Sequence, residues 1–130
     1  MTFAEFVDIV QPFGFTVRKM YSNWLSTNTP DMAKAYMASV VLDKSEFPTW
    51  IDGICISAEF IQDKILCITV HPTINKNNQN EFYFAGDGKI ITDTDKITKE
   101  YVEDCLNKIL NNYRQLKLNT KMSEIDNDFI

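Results

Sequence analysis

Residues 54–71 read ICISAEFIQDKILCITVH, and this stretch decides the fold. Ile54, Ile56, Ala58 and Phe60 alternate with Cys55, Ser57 and Glu59, the two-residue period of a strand with one buried face. Leu66, Ile68 and Val70 alternate with Cys67, Thr69 and His71 in the same way. A turn through Gln62, Asp63 and Lys64, with Ile61 opposite Ile65, joins the two runs into a hairpin. That register sets Phe60 against Leu66, Ala58 against Ile68 and Ile56 against Val70. One face is then wholly apolar, and the other carries Cys55, Ser57, Glu59, Cys67, Thr69 and His71. A slip of one residue mixes the two sets, so their separation argues for the register.

Upstream, Thr2 and Glu5 have the spacing of a capping box, and Phe3, Phe6, Val7 and Val10 follow on one helical face. Pro12 and Gly14 end that short helix. Phe15 to Tyr21 reads as a strand, with a helical Val17-Arg18-Lys19-Met20 as the alternative. The turn-formers of SNWLSTNTPD, residues 22–31, make a loop that holds Trp24 and Leu25. From Ala33 to Leu42, Tyr36, Ala38, Val40 and Leu42 alternate with Ala35, Met37, Ser39 and Val41, which reads as a strand covered on both faces, with a helical start the alternative that its Ala and Met leave open. The segment DKSEFPTWID is a loop, because Pro48 has no amide to give a ladder.

Downstream, residues 72–80 form a polar and mobile excursion. Glu81 to Ala85 and Lys89 to Thr92 then flank Gly86-Asp87-Gly88, whose glycines supply the positive φ of a tight hairpin. Thr98 caps a last helix, with Glu100, Glu103 and Asp104 near its positive end. Val102, Cys105, Leu106, Ile109, Leu110, Tyr113 and Leu116 form its apolar stripe, continued loosely by Met122, Ile125 and Phe129. The order helix, antiparallel strands, helix predicts an α+β fold. About five strands are expected, flanked by a short N-terminal and a long C-terminal helix, as one domain over 1–130 with 122–130 as a tail.

A chain of 130 residues buries roughly two-thirds of its unfolded surface around one core. The net charge of −5 disfavours broad attraction to nucleic acid or anionic lipid, and no long acidic face suggests a DNA mimic. Cys55, Cys67 and Cys105 have no CxxC spacing and are odd in number, which fits reduced thiols in a cytoplasm. The N-terminus lacks the basic and small-residue features of a secretory signal, and no run is long enough to span a bilayer. Lysine outnumbers arginine eleven to two amid abundant Asn and Ile, a coding bias that points to a low-GC bacterium or its phage.

In the proposed register Cys55 and His71 are cross-strand neighbours, and a thiol beside an imidazole is a candidate nucleophile. Adding the Glu59–Cys67 pair makes a candidate metal set. Neither pair has an orienting third group or an oxyanion-hole motif, and the structural reading of a core thiol and a surface histidine is stronger. Gly86-Asp87-Gly88 lacks the lysine and hydroxyl spacing of a phosphate loop, and Asp87, Asp93 and Asp95 lack the register of an EF-hand. No catalytic residue, cofactor or metal is therefore assigned. The candidate partner anchors are Tyr21, Trp24 and Leu25 in or beside one polar loop, and Phe47 and Trp50 around Pro48 in another.

These features predict a small, acidic, non-catalytic protein-interaction module, of the kind a phage or mobile element uses to inhibit or regulate a host protein. A basic nucleic-acid-handling protein is the expected partner, with no direct contact to nucleic acid or membrane. Two alternatives stand beside it. One is a thiol- or metal-dependent enzyme built on Cys55 and His71. The other is a secretion-chaperone-like protein or a homodimeric structural protein, by analogy with small acidic bacterial secretion chaperones, which the chain resembles in compact size, low pI and terminal helices. Residues 72–80 are too short and polar for the helix those chaperones place between their strand groups.

Overall fold

Thr2 starts the first helix as its sequence predicts, its hydroxyl accepting from the Glu5 amide at 3.2 Å. The computed structural model describes the backbone of residues 1–21 and 35–128 and the side chains of residues 1–20 and 35–122. Along the chain lie α1 (Phe3–Val10), β1 (Thr16–Tyr21), β2 (Ala35–Val41), β3 (Ile54–Ile61), β4 (Lys64–Val70), β5 (Ile74–Lys76), β6 (Phe82–Phe84), β7 (Lys89–Ile91) and α2 (Lys99–Asp128). Five strands make one antiparallel sheet in the order β1-β2-β3-β4-β7, and β5 with β6 forms a separate two-stranded ribbon. The architecture is the α+β arrangement expected from the sequence.

Both helices cover one face of the sheet. Tyr36, Ala38 and Val40 of β2, Ile56, Ala58 and Phe60 of β3, and Ile68 and Val70 of β4 meet Phe6, Ile9 and Val10 of α1 and Val102, Leu106, Ile109 and Tyr113 of α2. The alternation read in β3 and β4 holds, since Ile56, Phe60, Ile68 and Val70 are buried and Ser57, Glu59 and Thr69 lie on the other face. In α1 the buried stripe takes Ile9 in place of Val7, because the helix also packs against α2 and so hides two of its sides. Thr98 caps α2 by accepting from the Tyr101 amide at 3.1 Å.

The hairpin register departs from expectation at its tip. Gln62 and Asp63 both adopt positive φ, 50° and 67°, and close the turn in two residues instead of three. Ile61 therefore pairs with Lys64 and Phe60 with Ile65, while Ala58–Ile68 and Ile56–Val70 stand as read. The mismatch is absorbed by a bulge at Leu66, which is left 41% exposed while Ile65 is buried. The tight turn also anchors α1. Asp63 accepts from the Phe3 amide and from the Tyr36 hydroxyl, each at 3.2 Å, and the Ile65 amide donates to Met1.

Residues 72–91 hold the larger correction. The polar excursion contains β5, and its turn is built by Asn77, whose side-chain oxygen accepts from the Gln79 and Glu81 amides. The expected hairpin across Gly86-Asp87-Gly88 does not form, because β6 pairs with β5 and β7 crosses to the free edge of β4. Neither Gly86 nor Gly88 adopts positive φ; among the described glycines only Gly14 does, at 89°. Gly88 serves close approach instead, since a Cβ there would run into the His71 ring.

Candidate interaction surface

The thiol–imidazole pair is taken apart by a second bulge. Between Val40 and Val41 the β2–β3 register shifts, and Cys55 turns into the core, fully buried, with Sγ directed to the Val40 carbonyl at 3.4 Å. The His71 amide still donates to the Cys55 carbonyl at 2.8 Å. Its ring, however, packs on Gly88, and Nδ1 donates to the Ala85 carbonyl at 3.1 Å. Burial drives the Cys55 thiol well above its ordinary pKa, so the group is neutral at physiological pH.

The Glu59–Cys67 cross-strand pair forms as read. Cys67 is raised by burial and by the adjacent Glu59 carboxylate. Cys105 is likewise raised, chiefly by burial, and its neighbour Tyr101 is pushed up to about 12 by burial and a hydrogen bond to that thiol. Among the described residues no cluster of three His, Cys, Asp or Glu side chains is placed to hold a metal ion.

Phe47, expected among the partner anchors, packs inside the protein. It is buried, stacked on Phe84 at 5.3 Å and on Tyr113 at 6.3 Å, with the edge of Phe82 at 6.0 Å. Its neighbour Glu46 ties this aromatic cluster to α2. The Tyr113 hydroxyl donates to Glu46 Oε2 at 2.7 Å, and Lys117 Nζ lies 3.4 Å from Oε1. Burial pushes Glu46 up, but the Tyr113 hydroxyl, its own backbone amide and Lys117 outweigh it and hold the carboxyl below its usual 4.5.

A carboxyl depressed in the folded state binds protons more weakly there than in the unfolded chain. It contributes stability above the unfolded value, lost as pH falls through the folded one. Urea melts of wild type from neutral pH downward are expected to lose stability below pH 4.5 more steeply than melts of Glu46→Gln, and parallel curves would refute the linkage.

Trp24 and Leu25 lie outside the described residues, as does the Tyr21 side chain. Trp50 is half-buried, and the Arg18 guanidinium sits over its ring at 4.3 Å. Arg18 pairs with Ser39, which pairs with Ser57, so it belongs to the sheet face opposite the one that α1 and α2 cover. Met20 follows two residues along β1 on that face, 44% exposed, its sulfur accepting from the Ser39 hydroxyl at 3.7 Å. Ile51, next to Trp50, is 61% exposed. Arg18 and Met20 went unrecognised in the sequence, where the only signal was an arginine in a chain with two of them.

Among the described residues no helix is long and apolar enough to cross a membrane. No family model, curated protein or solved structure matches the chain.

Proposed function

We propose that this protein is a non-catalytic interaction module that binds a partner protein over the edge of the sheet face opposite α1 and α2. The observation that carries the reading is the Arg18–Trp50 contact beside exposed Met20. Arginine and tryptophan are the residue types that concentrate binding energy, and a methionine adapts its shape to what it meets. The buried, neutral Cys55 supports a non-catalytic role, because a protonated thiol is a poor nucleophile. The net charge of −5 favours a basic partner, such as a nucleic-acid-handling protein. The lysine-rich, arginine-poor composition supports a setting in the cytoplasm of a low-GC bacterium, in a phage or mobile-element accessory role.

The test is capture from such a lysate with wild type and Trp50→Ala side by side, followed by titration of any protein that wild type retains. Trp50→Ala is expected to weaken that complex by about 2 kcal/mol or more, and added salt to weaken it further. A partner retained equally by both proteins would place the contact elsewhere.

A further inference from the structure

Arg18 is exposed and carries a charge that the described residues leave unmet. Its guanidinium lies over the Trp50 ring at 4.3 Å, and it makes no ion pair or hydrogen bond among the described residues. All five of its N–H donors are therefore without an acceptor there. The carboxylates nearest to Trp50 along the chain are engaged elsewhere. Asp52 accepts from the Thr49 amide and hydroxyl at 3.2 and 2.7 Å, and Glu46 is held by Tyr113 and Lys117. Glu59 shares the sheet face of Arg18 but stands two strands away, in register with Met37 and Met20. Packing over an indole restrains the long arginine side chain, so less of its freedom is left to lose when an anion binds.

Resting on the interaction surface proposed above, we infer that the Arg18–Trp50 pair is a receptor for a carboxylate of the partner protein, an Asp or Glu that stands beside an apolar residue. The planar guanidinium matches a carboxylate through two parallel hydrogen bonds, which a lysine does not offer. The apolar neighbour lies on Met20, 44% exposed and two residues along the same face of β1. A nucleic-acid backbone would need a row of cations. The other cation of β1, Lys19, turns to the opposite face, where it lies over the Tyr36 and Phe3 rings at 4.1 and 5.1 Å. A single acidic contact is compatible with a basic partner, because net charge sets the attraction at a distance and the local pair fixes the register.

The probe is a library of random peptides, selected on immobilised wild type. Retained peptides are expected to carry Asp or Glu next to an apolar residue. Changing that acid to its amide should weaken a retained peptide at least ~10-fold, and Arg18→Gln should weaken the acidic form equally. Arg18→Lys should recover only part of the loss, because it keeps the charge and loses the fork. Thermal unfolding of both variants checks that the fold is kept. Peptides that lose affinity for Trp50→Ala and are indifferent to Arg18→Gln would leave the surface standing and overturn the carboxylate. No retained peptide, or only peptides indifferent to both variants, would overturn the inference and remove the surface with it. An oligonucleotide bound by wild type and released by Arg18→Gln would put phosphate in the carboxylate's place and overturn it equally.

Discussion

Truncating Phe60 to alanine is expected to cost about 3–5 kcal/mol of unfolding free energy, the largest effect of any single substitution considered. Phe60 is fully buried, stacked on Tyr36 at 5.4 Å, with Phe3 and Phe6 edge-on at 5.6 and 5.8 Å. Its removal leaves a cavity at the junction of β2, β3 and α1 and breaks ring contacts worth about 0.5–1.5 kcal/mol each beyond their area. A domain of this size has about 5–15 kcal/mol in all, so the loss is a large share of the total. Urea unfolding should show a lower midpoint at an unchanged slope. A loss under about 1 kcal/mol would mean the aromatic cluster carries little of the core.

The second large effect separates two neighbours that look alike in sequence. Ile65 is buried opposite Phe60, and Leu66 stands in the bulge, half out of the protein. Ile65→Ala is expected to cost about 2–4 kcal/mol, and Leu66→Ala about 0.5 kcal/mol or less. The register read from alternation alone reverses that order, with Leu66 inside against Phe60. Unfolding measurements on the pair therefore discriminate the two-residue turn from the three-residue one. Equal losses would mean that the tip samples both registers.

Much of the architecture was legible because its signals repeat. Four alternations in β3 and three in β4 outweigh any single residue, and the stripe Val102, Leu106, Ile109, Tyr113 marks α2 over three turns. The strands β5 and β6, at three residues each, are too short to carry a period. Asn77 holds their turn through its side chain, a device that reads in sequence only as polarity.

The candidate surface divides in the same way. Trp50 was recognisable as an aromatic on a polar loop, and it lies half-exposed against Arg18. Phe47 had the same local context and went inside. Its partners Phe82, Phe84 and Tyr113 lie 35 to 66 residues away, counting from 47 to 82 and to 113.

By itself, then, the sequence determined the longer strands and the two α-helices, and which side of β3, β4 and α2 is buried. Those properties follow from the periods of the backbone, and a period is a local quantity. Tertiary structure decided the rest. It turned Cys55 into the core and away from His71, pushed Leu66 out, and sent β7 to the edge of β4 instead of to β6. Each outcome depends on a non-local fit: a bulge that lets two ladders keep their hydrogen bonds, a two-residue turn that delivers Asp63 to α1, and a glycine small enough to lie against an imidazole. Such fits are settled by what lies across the sheet, and no window along the chain contains both halves of them.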